Sequence, residues 1–142
     1  MELEKQVCSL ELAKKLKGLG VKQESVFDWM EYDDMGNKKT YVGLRGSQGF
    51  HTEVFCSAFS VAELGELLPD NPEIYHKTLD RKIKYEMRTV IETPSAIDGA
   101  KIFSCYLYNS WGGTKHQEIE REEANSRAKM LIYLIEQGVV KP

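Results

Sequence analysis

Residues 82–91 contain the regular alternation that most restricts the fold of this chain. Five mainly apolar residues alternate with five mainly charged ones: Ile83, Tyr85, Met87, Thr89 and Ile91 with Lys82, Lys84, Glu86, Arg88 and Val90. Because successive side chains of a strand point to opposite faces, this pattern predicts a strand with one buried face and one wet face. Parallel sheets are covered on both faces, whereas antiparallel sheets often have one face in water. The chain is therefore predicted to build an antiparallel sheet.

Other segments predict four more strands and three helices. Strands are expected at residues 26–32, 38–44, 54–59 and 101–108, and helices at 10–17, 61–68 and 119–137. Ser9 is a suitable N-cap for the first helix, and Ser60 with Glu63 has the spacing of a capping box for the second. Residues 93–100 and 109–116 contain turn residues and are predicted to be loops. The fold class is therefore α+β: an antiparallel sheet of about five strands with N-terminal and C-terminal helices and one short middle helix packed on it.

The length of the chain fits one domain, residues 1–142. The charged N-terminus lacks the apolar core of a signal peptide, and no apolar run approaches the ~20 residues that span a bilayer. Cys8, Cys56 and Cys105 are odd in number and far apart, which indicates buried, reduced thiols and a cytoplasmic location. No cysteine or histidine pair has the short spacing of a zinc site, so neither a metal nor a cofactor is expected.

Catalytic motifs are missing from the sequence, since it has neither a phosphate-binding loop nor a nucleophile elbow. Ser47 and His51 are the best candidates for a nucleophile and its base, because a hydroxyl needs a nearby base to become reactive. They lie in a glycine-bearing loop, and His116 is a third candidate from a second loop. A small hydrolase built on Ser47, His51 and His116 is the enzyme alternative.

A nucleic-acid alternative rests on three cations of one predicted strand. Lys82, Lys84 and Arg88 share its wet face, and the neighbouring strand can place aromatic rings beside them. Such a surface can hold a single strand by stacking and phosphate contacts. The charge balance opposes it, because residues 51–100 carry five Lys and Arg against nine Asp and Glu. Nucleic acid is therefore the less favoured partner.

Aromatic residues of the first predicted strand offer a surface for a protein partner. Phe27 and Trp29 fall on one face of that strand and Tyr32 falls on the other, so either both faces are covered or one contacts a partner. Trp111, next to two glycines in a loop, is a further candidate contact. The partner's identity and the oligomeric state, including a homo-oligomer, stay open.

Three segments together resemble small proteins of unknown function encoded by bacteriophages and prophages of gut bacteria. The segments are residues 7–23, 58–69 and 123–136, which begin Val-Cys-Ser-Leu-Glu-Leu, Ala-Phe-Ser-Val-Ala-Glu and Glu-Ala-Asn-Ser-Arg-Ala. The resemblance implies a phage or prophage source and the cytoplasm of a bacterial host, and it implies no catalytic residue. With the missing motifs, it makes a non-enzymatic protein-interaction module the leading expectation.

Overall fold

The computed structural model describes residues 2–92 and 101–142 and confirms the α+β class. The helices are α1 (Leu10–Gly18), α2 (Val61–Leu67) and α3 (Glu123–Glu136), and a 3-10 turn at Leu3–Lys5 precedes them. The strands are β1 (Phe27–Asp34), β2 (Asn37–Leu44), β3 (Thr52–Ser57), β4 (Glu73–His76), β5 (Arg81–Lys84), β6 (Glu86–Glu92), β7 (Ile102–Asn109) and β8 (Gly113–Glu120). The predicted connection at residues 93–100, with Pro94 and Asp98-Gly99, lies outside the described residues.

The strands form three small antiparallel sheets where the sequence predicted one sheet of about five strands. Their orders are β2-β1-β3, β4-β5 and β6-β7-β8. The long alternating segment divides at Tyr85, since β5 before it pairs with β4, and β6 after it pairs with β7. Hydrogen bonding on the β4 side of the segment continues past Tyr85, because the backbone N–H of Met87 donates to the carbonyl of Asp70 at 2.9 Å. One extended segment therefore belongs to two sheets.

The C-terminal region also differs from its prediction. The predicted loop at residues 109–116 and the predicted start of the last helix at residue 119 are replaced by a tight turn and β8, and α3 begins at Glu123. Glu118 and Glu120 lie on β8 and not in the helix, and they contact His116 and Lys129. The two-residue spacing of these glutamates is compatible with a strand, because side chains on one face of a strand repeat at every second residue.

Helix α3 lies at the centre of the fold and is buried on several sides. Its buried residues are Ala124, Ser126, Ala128, Met130, Leu131, Ile132 and Leu134. It contacts α1 and α2 as well as β7 and β8, and Ala124 and Ala128 let these neighbours approach closely. A helix with apolar residues around its circumference is stable only when other elements enclose it. Among the described residues, no helix is long and apolar enough to cross a membrane.

Glu63 joins the start of α2 to the segment that enters β1. The predicted capping box is confirmed: Ser60 Oγ accepts a hydrogen bond from the Glu63 backbone, and Glu63 accepts one from the Ser60 backbone at 2.8 Å. The same carboxylate also accepts bonds from the Val26 N–H at 2.8 Å and the Ser25 hydroxyl at 2.9 Å. Partial burial alone would raise the pKa of Glu63, but these hydrogen bonds outweigh it and lower the pKa below the usual value.

Glu63→Gln should lower the free energy of unfolding by about 1–3 kcal/mol at neutral pH, because an amide cannot accept all three of these bonds. Urea denaturation measures this loss, and Glu66→Gln on the same helix, which makes none of these bonds, should be nearly neutral. Because the folded-state pKa is lowered, the Glu63 contribution is complete above the ordinary pKa of a glutamate and is lost as the pH falls through the folded value. An equal loss at neutral and strongly acidic pH would contradict this account.

Candidate functional site

A basic notch lies beside the outer edge of β5, where the long segment of residues 81–92 extends past the end of the β7–β8 hairpin. The notch encloses about 790 Å³, within the usual range for ligand sites. Its walls come from the β4–β5 hairpin and the β7–β8 turn: His76, Leu79, Arg81, Lys82, Ile83, Lys84, Tyr85, Asn109, Trp111, Gly112, Thr114 and Lys115. The break at Tyr85 creates the notch, because β7 ends opposite the point where β5 gives way to β6.

Four exposed cations line the notch, and no carboxylate does. Arg81, Lys82, Lys84 and Lys115 make no ion pair with any residue that the structure describes. In contrast, seven other Lys and Arg residues have a carboxylate partner: Lys5, Lys15, Lys38, Arg45, Arg88, Arg127 and Lys129. The notch therefore concentrates positive charge on a chain whose net charge is −3.

The sequence placed Lys82, Lys84 and Arg88 on one surface, and the structure brings only the two lysines into the notch. Arg88 lies on β6, where it pairs with Glu86 at 2.9 Å and stacks over the Tyr108 ring at 4.4 Å. The break at Tyr85 separates Arg88 from Lys82 and Lys84. The alternation in the sequence does not reveal this break.

Trp111 stands at the rim of the notch and is 96% exposed. Asn109 ties its turn to β5, because Oδ1 of Asn109 accepts the Trp111 N–H at 2.8 Å while Nδ2 donates to the Lys84 carbonyl at 2.8 Å. One side chain thus connects the turn that carries Trp111 to the edge of β5. An exposed tryptophan on an anchored turn is a suitable contact for a ligand.

His76 lies on the notch wall with an unsatisfied polar atom. Its Nδ1 is buried and has no hydrogen-bond partner among the described residues. Buried polar atoms in folded proteins are nearly always paired, so this nitrogen is an exception within the described residues. Sequence reasoning missed His76, Arg81 and Lys115, although basic residues beside a predicted strand and beside a Trp-Gly-Gly turn were a usable signal.

The predicted aromatic surface of β1 divides between core and solvent. Trp29 packs against the hydrophobic core, and its Nε1 donates a hydrogen bond to the Cys8 carbonyl at 3.0 Å. Phe27 is half-buried, and Tyr32 is 38% exposed. Trp111 belongs to the β6-β7-β8 sheet, so these four aromatics lie on two different sheets.

The opposite face of β1 is covered at its start by the connection between β2 and β3. β2 ends beside Phe27, and β3 begins beside Tyr32, so residues 45–51 have to cross β1. Arg45, the first residue of this connection, pairs with Asp28 at 2.9 Å, and Asp28 and Met30 are buried. Of the two possibilities the sequence left open, coverage of both faces therefore holds for the first half of β1.

The three hydrolase candidates occupy separate environments. The Ser47 hydroxyl donates to the Leu44 carbonyl at 2.6 Å, and His51 is an exposed turn residue with a positive φ of 62°. His116 lies on β8, where its Nε2 is 2.7 Å from Glu118 Oε1 and its ring stacks on Tyr133 at 3.6 Å. No hydrogen bond links any two of the three within residues 2–92 and 101–142.

The three cysteines are buried and unpaired with one another. Burial raises the pKa of the Cys8 thiol to about 12 and also raises the pKa values of Cys56 and Cys105. A raised pKa disfavours the thiolate, which is the reactive form. The part of the chain described here also has no cluster of His, Cys, Asp or Glu side chains arranged to hold a metal ion.

No family model, no curated protein and no solved structure matches this chain.

The two tryptophans should respond differently to the same substitution. Trp29→Phe removes the bond to Cys8 and part of a ring packed on the core, so it should lower the free energy of unfolding by about 1–3 kcal/mol. Trp111→Phe should change it by less than about 0.5 kcal/mol, because the ring is exposed. Urea denaturation of the two variants measures both values, and equal losses would contradict the assignment of Trp29 to the core.

The cysteines should react slowly with a thiol reagent in the native protein. At mildly alkaline pH, burial and the raised pKa values keep the thiolate fraction low, so labelling should be limited by opening of the fold. Timed labelling followed by mass spectrometry, with a denatured sample as reference, checks this. Rapid native labelling of one thiol would identify a reactive cysteine instead.

Proposed function

We propose that this protein is a non-enzymatic interaction module whose basic notch binds an acidic segment of a partner protein. The observation that carries this proposal is the convergence of four unpaired cations with no carboxylate among the lining residues. Unpaired cations keep their full attraction for a negatively charged partner, whereas paired ones must first break an existing contact. Trp111 and Arg81 add the two residue types that most often dominate the energy of protein interfaces.

The surroundings of the notch also suit a partner of limited size. The volume of about 790 Å³ accommodates a short segment and not a whole domain face. Asp80, next to Arg81, is engaged by the Tyr75 hydroxyl, so the nearest carboxylate in the hairpin turn already has a partner. Glu73 lies opposite Lys84 on β4, but it does not line the notch and makes no ion pair with Lys84. The four notch cations therefore remain available to an acidic segment.

Single-stranded nucleic acid is the second candidate ligand of the same notch. Trp111 beside Lys82 and Lys84 is the observation that favours it, because bases stack on aromatic rings while lysines neutralise phosphates. It ranks lower because Arg88 lies outside the notch and is already paired with Glu86. The negative charge of the whole chain also repels a long polyanion beyond the notch.

The proposed source is a phage or prophage, and the proposed location is the cytoplasm of its bacterial host. The resemblance of residues 7–23, 58–69 and 123–136 supports the source, and the three reduced, buried cysteines fit a reducing compartment. The hydrolase built on Ser47, His51 and His116 receives no support from the hydrogen bonds of these residues.

Charge reversal in the notch is the direct experiment. Arg81→Glu combined with Lys115→Glu should weaken binding of a fluorescent octapeptide of alternating Glu and Val by at least about tenfold, because attraction becomes repulsion. Fluorescence anisotropy measures the affinity at low ionic strength, and binding should weaken again at about 0.15 M salt.

Lys22→Glu combined with Lys39→Glu is the matched control, because both lysines are exposed, lie outside the notch and change the net charge equally. This control should retain affinity within about twofold, since distant charges are screened. Binding of an oligothymidylate but not of the peptide would support the nucleic-acid candidate. Binding of neither probe would overturn both.

A further inference from the structure

The outer edge of β5 presents backbone groups to the notch. The Tyr85 N–H donates to the Pro72 carbonyl at 2.9 Å, which makes these two residues a hydrogen-bonded pair. In an antiparallel ladder such pairs alternate with non-bonded pairs, and Lys82 and Lys84 lie opposite Tyr75 and Glu73 at the non-bonded positions. The N–H and C=O groups of Lys82 and Lys84 therefore point away from β4.

Most of these edge groups have no partner. Asn109 donates to the Lys84 carbonyl at 2.8 Å, but no hydrogen bond from the described residues reaches the Lys84 N–H or either backbone group of Lys82. Both lysines line the notch. The cavity is thus bounded on one side by a strand edge that can still form ladder hydrogen bonds.

The open lane beside β5 continues the path of β7. Glu86 pairs with Tyr108, and β7 ends one residue later at Asn109. Residues 81–84 therefore extend past the end of β7 and have no strand beside them on that edge. A strand placed there would lie in the lane that β7 occupies beside β6, with Trp111 at its end. The lane is short, so the added segment would be a few residues long.

We propose that the partner's acidic segment binds as an extended strand added to β5. This inference rests on the proposed function and specifies its binding mode. Strand addition supplies affinity through main-chain hydrogen bonds and selectivity through alternate side chains. Carboxylates on the face shared by Lys82 and Lys84 would be cross-strand neighbours of these cations, so the segment should alternate acidic and apolar residues.

The charge on this edge also selects among possible strands. Lysines on an exposed edge oppose pairing with a second copy of the same edge, because like charges would then face each other. An acidic strand removes that repulsion and gains ion pairs. The edge therefore discriminates against self-association while accepting a partner of opposite charge.

Comparing Lys82→Pro with Lys82→Ala isolates the backbone bond. Both variants remove the lysine charge, but only proline removes the N–H, and that N–H points away from the β4 ladder, where proline is tolerated. Lys82→Pro should bind the Glu–Val octapeptide about threefold to tenfold more weakly than Lys82→Ala, the effect of one hydrogen bond. Circular dichroism and thermal unfolding report whether each variant remains folded.

Amide exchange in the unmodified protein is an independent readout. Saturating peptide should slow exchange of the Lys82 and Lys84 amides by at least about tenfold, because both would become hydrogen-bonded. The Ile83 amide, which faces β4, is the internal control and should change little.

The outcomes separate this inference from the function on which it rests. Salt-sensitive peptide binding without protection of Lys82 and with equal affinity for the alanine and proline variants would overturn strand addition and leave the acidic-partner proposal standing. Absence of peptide binding would overturn both. Protection of Lys82 and Lys84 together with the proline-specific loss would support both.

Discussion

The enclosure of α3 is the constraint on which the rest of the structure depends. Seven of its residues are buried, and α1, α2, β7 and β8 all contact it. The two-stranded sheet β4-β5 would be marginally stable alone, and packing against a helix stabilises small sheets of this kind. The helix supplies an apolar surface directly to β7 and β8, and α1, which packs on α3, contacts β3 of the β2-β1-β3 sheet. Ala124 and Ala128 are fully buried where these neighbours approach.

The notch follows from the same arrangement. β7 and β8 pack on α3 and end in a turn at Trp111, whereas the β5–β6 segment runs past that turn to pair with β4. The segment pairs with β4 along one edge through β5, and with β7 along the other edge through β6. The edge of β5 that faces away from β4 therefore has no neighbouring strand. The candidate site is the result of that change of partner, and the four cations and Trp111 give the uncovered edge its chemistry.

Local sequence signals predicted the three helices and most of the strands. They failed where pairing between distant segments decides where a strand begins and ends. The capping box of Ser60 and Glu63 identified α2 correctly, and the alternation after residue 82 identified the extended segment that contains β5 and β6. The break at Tyr85 and the presence of β4 were missed, because alternation continues unchanged through the break and β4 has only four residues. Lys82, Lys84 and Trp111 were candidates from the sequence, whereas Arg81, Lys115 and His76 join them only through the hairpin geometry.

The path of residues 45–51 across β1 has a consequence for how the chain assembles. β1 and β2 meet through a tight turn, whereas β3 reaches the far side of β1 only after the connection at residues 45–51 has crossed β1. Loop closure over a longer distance costs more entropy before any contact repays it. The β1–β2 hairpin is therefore expected to form early, and the docking of β3 against α1 is expected to be the slower event that completes this sheet.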